Sequence, residues 1–189
     1  MNDSELIGLR LRARKLVKKY NDYPPPDFTA DFKIEDFFGP DERFHILGDL
    51  FGMSLERTKA LAIEPPFHCD FGFNIKFKGE FYSNFNLIIL DGAEVTIGTR
   101  VQCGPNVQIY SATHSVEVEE RRARHERAYP IVIGDDVWIG GNVVIIGPCT
   151  IGNGVTIAAG AVVKGDIPND VVIGGIPAKI IKYLESSTS

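Results

Sequence analysis

From Phe73 onward, bulky aliphatic residues return every six positions. Ile133, Ile139, Ile145, Ile151, Ile157 and Val163 stand six apart, and the fourth residue after each is Val137, Val143, Cys149, Val155, Ala161 and Ile167. Ile97, Cys103 and Ile109 keep the same step, with Val101, Val107 and Thr113 four residues after them. Ile75, Phe81 and Leu87 keep it earlier, before a ten-residue gap shifts the phase. Glycine follows the aliphatic position at Gly98, Gly104, Gly134, Gly140 and Gly152. Such a period marks a repeat architecture, in which strands cannot be assigned one by one.

The pattern resembles the hexapeptide repeat of left-handed parallel β-helices. Each hexad makes one short strand and one corner of a triangular coil, so the aliphatic side chain points inward while Gly, Asn and Asp tolerate the backbone of the turns. Three hexads close a coil. Twelve hexads predict about four coils and, at a strand spacing of about 4.8 Å, a prism roughly 20 Å tall. The expected fold is therefore dominated by β-structure. It divides into an N-terminal helical segment over 1–66, a left-handed β-helix over 67–175 and a C-terminal tail over 176–189 that helps to cap it. In the first segment Leu6, Leu9, Leu16 and Tyr20 form a helical stripe that Asp3 or Ser4 can cap and Pro24 to Pro26 must stop. A second helix is predicted from Asp41 to Leu50, begun by Pro40 and ended by Gly52. The repeat fails between Thr113 and Ile131, where residues 114–130 form a charged excursion. A loop that long inside a regular coil calls for a function or for a solvated surface role.

Charge and composition exclude several classes of function. Twenty Lys and Arg against 25 Asp and Glu leave a formal charge of −5, without the basic excess of a nucleic-acid binder. No apolar run approaches the roughly 18 residues of a membrane span, and the acidic start is no secretory leader, so a cytoplasmic protein is expected. Cys69, Cys103 and Cys149 are odd in number and lack CxxC spacing, which predicts reduced, buried thiols. His45, His68, His114 and His125 show no metal-ligand spacing, and no metal is expected. Of the four, His114 stands out, one residue beyond the last regular inward position at the root of the excursion. An imidazole there can exchange a proton at neutral pH.

Several runs carry a closer resemblance. Pro65 to Ile75, Phe81 to Asn86, Gly104-Pro105-Asn106-Val107 leading to Thr113-His114, Val137 to Gly141, and Gly174-Gly175-Ile176-Pro177-Ala178-Lys179 are similar to the maltose and galactoside O-acetyltransferases. The resemblance covers nearly the whole chain. It implies transfer of acetyl from acetyl-CoA to a hydroxyl of a sugar, by direct attack, in a homotrimer whose active sites lie between subunits. It assigns His114 as general base and Asn84 to the acceptor or the tetrahedral centre. Asp70, Tyr82 and Glu126 fall on the acceptor side. Trp138, the amide of Gly141, Ala159, Lys164, Lys179 and Lys182 fall on the coenzyme side.

Two departures bear on the ligands. Relatives commonly carry Thr-Lys after the last hexad, whereas Lys164-Gly165 sets the lysine one position earlier. Asp3-Ser4-Glu5-Leu6 resembles the middle of the family's N-terminal segment, so an aspartate that contacts acceptor in relatives is expected to be missing. The acceptor is expected to be a neutral or weakly charged polyhydroxyl compound, with selection of an acidic one by Arg121 and Arg122 as the competing version. Other hydroxyl acceptors, such as a xenobiotic or a lipochitooligosaccharide, and a non-catalytic assembly role remain the alternatives.

Overall fold

The structure, a computed structural model, describes residues 4–185, so Asp3 as a helix cap and the end of the tail lie outside the described residues. Helix α1 (Ser4–Asn21) buries Ala13, Val17 and Tyr20. The expected stripe is thus rotated: only Tyr20 of its four residues is fully inside, and Leu6 lines a cleft instead. Helix α2 (Asp41–Phe51) runs one residue past its predicted end, and Gly52 closes it at φ 68°. Glycine takes that left-handed conformation without the Cβ clash other residues meet. A short α3 (Leu55–Thr58) leads into the first strand.

The hexads fold as a left-handed parallel β-helix. The first coil holds β1 (Leu61–Ile63), β2 (Phe67–Cys69) and β3 (Ile75–Phe77), and the second β4 (Phe81–Ser83), β5 (Leu87–Leu90) and β6 (Val95–Ile97). The third holds β7 (Val101–Cys103) and β8 (Gln108–Tyr110). It then makes an excursion through β9 (Ala112–His114), α4 (Val118–Arg122) and β10 (Glu126–Ala128) before closing with β11 (Ile131–Ile133). In the fourth coil β12 (Trp138–Ile139) is followed by β13 (Val144–Ile151), and in the fifth β14 (Thr156–Ile157) by β15 (Val162–Ile167); β13 and β15 each turn a corner and serve two faces. Strand β16 (Val171–Gly175) begins a sixth coil, and β17 (Ala178–Tyr183) reverses to pair with it antiparallel.

Face one therefore stacks β1, β4, β7, β12, β14 and β16. Face two stacks β2, β5 and β8 under the first halves of β13 and β15, and face three stacks β3, β6 and β11 under their second halves. There are five complete coils and a sixth strand, which corrects the expectation of four. Two signals were out of phase with the repeat: β1 lies ahead of the boundary at residue 66 yet pairs with β4, and β16 continues the stack beyond Pro168.

Ile75, Leu87, Ile97, Ile109, Ile133, Ile145, Ile157 and Val163 are at most 1% exposed, as inward hexad positions should be. Thr113 and Ile167 are only half-buried; at Thr113 the chain has already left the prism in β9. Corners stack on corners. Asn86, Asn106 and Asn142 all adopt positive φ, and their side chains form a ladder, Asn86 Nδ2 donating to Asn106 Oδ1 (3.0 Å) and Asn106 Nδ2 to Asn142 Oδ1 (3.2 Å). At Gly98 a Cβ would stand 2.4 Å from the carbonyl oxygen of Gly134, so only glycine lets the rungs close up there.

The N-terminal helices cover the open edge of the first coil. Asn21 donates from Nδ2 to Phe67 O and accepts at Oδ1 from Phe67 N, both at 2.9 Å, and the Tyr20 hydroxyl donates to Ile63 O at 2.6 Å. Cys103 and Cys149 are buried, burial pushes both thiols up to about 12, and all three cysteines are free. Among the described residues no helix is long and apolar enough to cross a membrane. Ile145→Ala should destabilise the prism by about 2–5 kcal/mol through the cavity it leaves, whereas Thr150→Ala, on the exposed side of face three, should change stability by less than about 0.5 kcal/mol. Urea unfolding of both variants checks the contrast, and equal losses would contradict the inward assignment.

Candidate active site

The excursion leaves the corner between faces two and three and returns to it. Ser111 fixes its root, its hydroxyl donating to Leu90 O (2.7 Å) and accepting from Ala93 N (2.9 Å), while Tyr129 N returns to Ser111 O (2.8 Å). Strands β9 and β10 form an antiparallel pair that sets Glu126 directly opposite His114. Both side chains are exposed. Most of the loop's charge is spent internally. Arg121 donates to Ser115 O (2.8 Å) and Val116 O (2.7 Å), Arg122 pairs with Glu119 (2.6 Å), and Arg127 pairs with Glu120. Arg121 and Arg122 therefore brace the loop and do not line the cleft below.

A buried acid that the repeat did not single out organises the neighbouring turn. Asp91 is fully buried at the same corner, and its Oδ1 accepts from Asp70 N (3.0 Å) and Phe71 N (2.9 Å), while Oδ2 has no partner. Burial raises its carboxyl above the usual range, against the opposing pull of these backbone N–H groups. The sequence signal is a lone aspartate closing the apolar strand β5. The turn it holds directs Asp70 toward α1, where Arg10 Nε stands 3.5 Å from its carboxylate and the guanidinium sits 4.9 Å over the Phe71 ring. Between α1 and the end of the loop lies a cleft of about 590 Å³ that Arg10, Phe71 and Glu126 help to line. One corner thus gathers His114, Asp70 and Glu126.

The other half of the predicted set lies across face two. Tyr82 and Trp138 point outward from face one on either side of Gln102, over a shallow groove of about 550 Å³, and Trp138 is 57% exposed. Asn84 occupies the corner between faces one and two, its N–H donating to Cys103 O (2.9 Å) and its Oδ1 accepting from Phe85 N (2.7 Å). Gly141 and Ala159 follow on the same corner in the fourth and fifth coils, Gly160 N donating to Gly141 O at 2.9 Å. The flanking amides of Gly140 and Asn142 donate to Ile157 O and Pro105 O, whereas that of Gly141 meets no backbone carbonyl among the described residues. A Cβ at Gly104 would stand 2.6 Å from the Gly141 nitrogen. An unpaired N–H at a tight corner is a ready donor to a developing oxyanion.

The three lysines do not form one cluster. Lys179 and Lys182 lie on β17 at the edge of face one, while Lys164 ends the face-two half of β15, across that face from Ala159. All three are exposed and lack an ion-pair partner among the described residues. No group of His, Cys, Asp and Glu among the described residues is placed to hold a metal.

Comparison with known proteins decides what kind of chain this is. A family model described as bacterial transferase hexapeptide (six repeats) matches residues 130–165, and one described as maltose acetyltransferase hexapeptide capping motif matches residues 1–53. The galactoside O-acetyltransferase of Escherichia coli is 35% identical over 93% of this chain and 79% of its own length. The chain belongs to the maltose and galactoside O-acetyltransferase family. Two solved members of these hexapeptide acetyltransferases superpose over 98% of it. One, from Vibrio cholerae and complexed with acetyl coenzyme A, has a TM-score of 0.81, 36% identity and 92% of its own chain covered. The other, a maltose O-acetyltransferase from Clostridium difficile, has a TM-score of 0.82, 35% identity and 91% covered. In this family member His114, Asp70 and Glu126 fall at one edge of face two and Asn84, Gly141 and Ala159 at the other, with Tyr82 and Trp138 beside the latter on face one and the lysines apart from both.

Asp91→Ala would leave the amides of Asp70 and Phe71 without their acceptor. It should cost about 1–3 kcal/mol on thermal unfolding, and the loss should be larger in acid than near neutral pH. The sign follows from the raised carboxyl: the folded state favours the protonated acid, so the native side chain's own contribution improves as pH falls through its folded pKa. A pH-independent difference between wild type and variant would contradict this placement of the acid.

Proposed function

We propose that this chain transfers the acetyl group of acetyl-CoA to a hydroxyl of a sugar or glycoside, as a homotrimer with active sites between subunits. The observation that carries the reading is the division of the set: an exposed His114 facing Glu126 at one edge of face two, and the unpaired Gly141 amide beside Asn84 at the other. Outward positions on face two include Ile88, Leu90, Tyr110, Val144, Ile146 and Val162, an apolar surface suited to burial around a three-fold axis. Three prisms so arranged bring the His114 edge of one against the Asn84 edge of the next. The sugar in the names of the galactoside and maltose acetyltransferases supports the acceptor class. Free thiols and acetyl-CoA as substrate suit a cytoplasmic location.

The chemistry follows from the side chains. A sugar hydroxyl is a weak nucleophile at neutral pH, so His114 takes its proton as the oxygen attacks the thioester carbonyl. Glu126, in register with His114, orients the imidazole or the acceptor. As the carbonyl oxygen gains charge, the Gly141 N–H donates to it and Asn84 supports the tetrahedral centre. The C–S bond then breaks, and the imidazolium returns its proton to the departing thiolate, giving the acetyl ester and the free coenzyme thiol. Trp138 flanks the groove on face one for the pantetheine arm, and Tyr82, across Gln102 from it, faces the acceptor. Ala159 lies farther along, and Lys164, Lys179 and Lys182 offer charge to the coenzyme phosphates from two directions.

His114→Ala should lower turnover by about 10²–10⁴-fold with the KM for acetyl-CoA nearly unchanged; undiminished turnover of the pure variant would remove His114 from the mechanism. Light scattering should give three times the 20.9 kDa chain mass. Co-expressed His114→Ala and Asn84→Ala chains should recover roughly a quarter of wild-type activity, since each site needs one chain of each kind in a fixed order. No recovery in trimers shown to be mixed would place both residues in one subunit's site.

A further inference from the structure

Resting on that reading, we infer that the acceptor hydroxyl belongs to an anionic compound, a sugar carrying a carboxylate or a phosphate, held by Arg14 and Arg124 in the cleft between α1 and the excursion loop. The cleft, about 590 Å³, has guanidinium groups on both walls: Arg10 and Arg14, four residues apart on α1, and Arg124, which the loop presents from a left-handed backbone position at φ 60°. Four residues is one helical turn, so the two α1 arginines share a face. Glu126 is the one carboxylate on the cleft's walls among the described residues.

What separates Arg14 and Arg124 from the other arginines nearby is the absence of compensation. Arg121, Arg122 and Arg127 are occupied within the loop, and Arg10 is held by Asp70 and the Phe71 ring. Neither Arg14 nor Arg124 has a hydrogen-bond or ion-pair partner among the described residues. The chain as a whole carries a formal charge of −5, so acidic side chains were abundant for pairing them. Two uncompensated cations across a cleft repel each other, and an anion between them turns that repulsion into attraction. The planar guanidinium fork matches the two oxygens of a carboxylate or phosphate. A neutral sugar would instead be met by acceptors such as carboxylates and amides, which these walls mostly lack.

The reacting end is specified by the same geometry. Glu126 contributes to the cleft and is in register with His114, so a compound filling the cleft runs from the arginines toward the base. Ile7 and Leu11, each 54% exposed on α1, give it an apolar wall for the sugar ring face or an aglycone.

The test compares a neutral methyl glycoside, the matched uronate glycoside and the matched sugar phosphate, by kcat/KM for acetyl transfer and by calorimetric binding. It uses wild type and the Arg14→Gln/Arg124→Gln variant, whose changes lie on exposed side chains. Wild type should prefer at least one of the acidic compounds by about tenfold or more, and the variant should lose that preference, its kcat/KM falling more on the acidic compound than on the neutral glycoside. The stronger of the two acidic arms identifies the anion as carboxylate or phosphate. Equal or better use of the neutral glycoside by wild type, or an acidic preference that survives in the variant, overturns the inference and leaves acetyl transfer standing. Arginine-dependent binding of an acidic compound without any acetyl transfer to it would show an anion site but overturn its assignment to the acceptor.

Discussion

Every rung of the prism hangs its amide groups on the carbonyls of the rung beside it, in register, from β1 to β16 on face one and likewise around the other two faces. That parallel pairing, about 4.8 Å per step, forces each corner to sit on the corner before it. A residue's neighbours are then the equivalents one coil away, which is why Asn86, Asn106 and Asn142 form a column with common backbone geometry and linked side chains. It is also why glycine is needed at Gly98 and Gly104, where a single added carbon would meet backbone of the next rung. The site inherits this constraint, because Asn84, Gly141 and Ala159 are aligned by coil stacking and need no local device to meet.

The repeat made the prism legible because inward burial recurs with the covalent period, so Ile133 through Val163 reveal themselves without any knowledge of neighbours. It undercounted the coils because β1 and β16 lie outside the regular phase, one before the Pro65-Pro66 turn and the other after Pro168. Helix α1 was legible as a helix, but which side it buries depends on the first coil and the loop, neither of which a helical stripe can see. Asp91 escaped notice for a similar reason. Its work is to accept two amides from a turn some twenty residues earlier, a relation that exists only once coil two lies on coil one.

Of the residues that resemblance pointed to, His114, Asp70 and Glu126 gather at one corner, and Tyr82, Asn84, Trp138, Gly141 and Ala159 at or beside another. The division is informative because each set lacks what the other has. The first offers an imidazole and a cleft but no aligned free amide; the second offers the amide and an aromatic groove but no imidazole. Sequence proximity to the loop made Arg121 and Arg122 look like ligands for an acid, whereas the fold uses them as its internal braces. The arginines that reach the cleft come from α1 and from the far end of the loop, more than a hundred residues apart in the chain.

Asn21 gives the stack a beginning. Its carboxamide presents one donor and one acceptor to the main chain of Phe67, the same pair that a further strand would present. A side chain thereby impersonates a peptide group, and the solenoid's own edge is satisfied by a residue that cannot itself be extended. The size of the molecule is consequently not written in the hexads, which would propagate indefinitely, but in the two segments that terminate them, the Asn21 end of α1 and the reversal into β17. Gain or loss of a complete coil would leave both terminators with identical surfaces to bind, so proteins of this design can change height in whole-coil increments while keeping their ends.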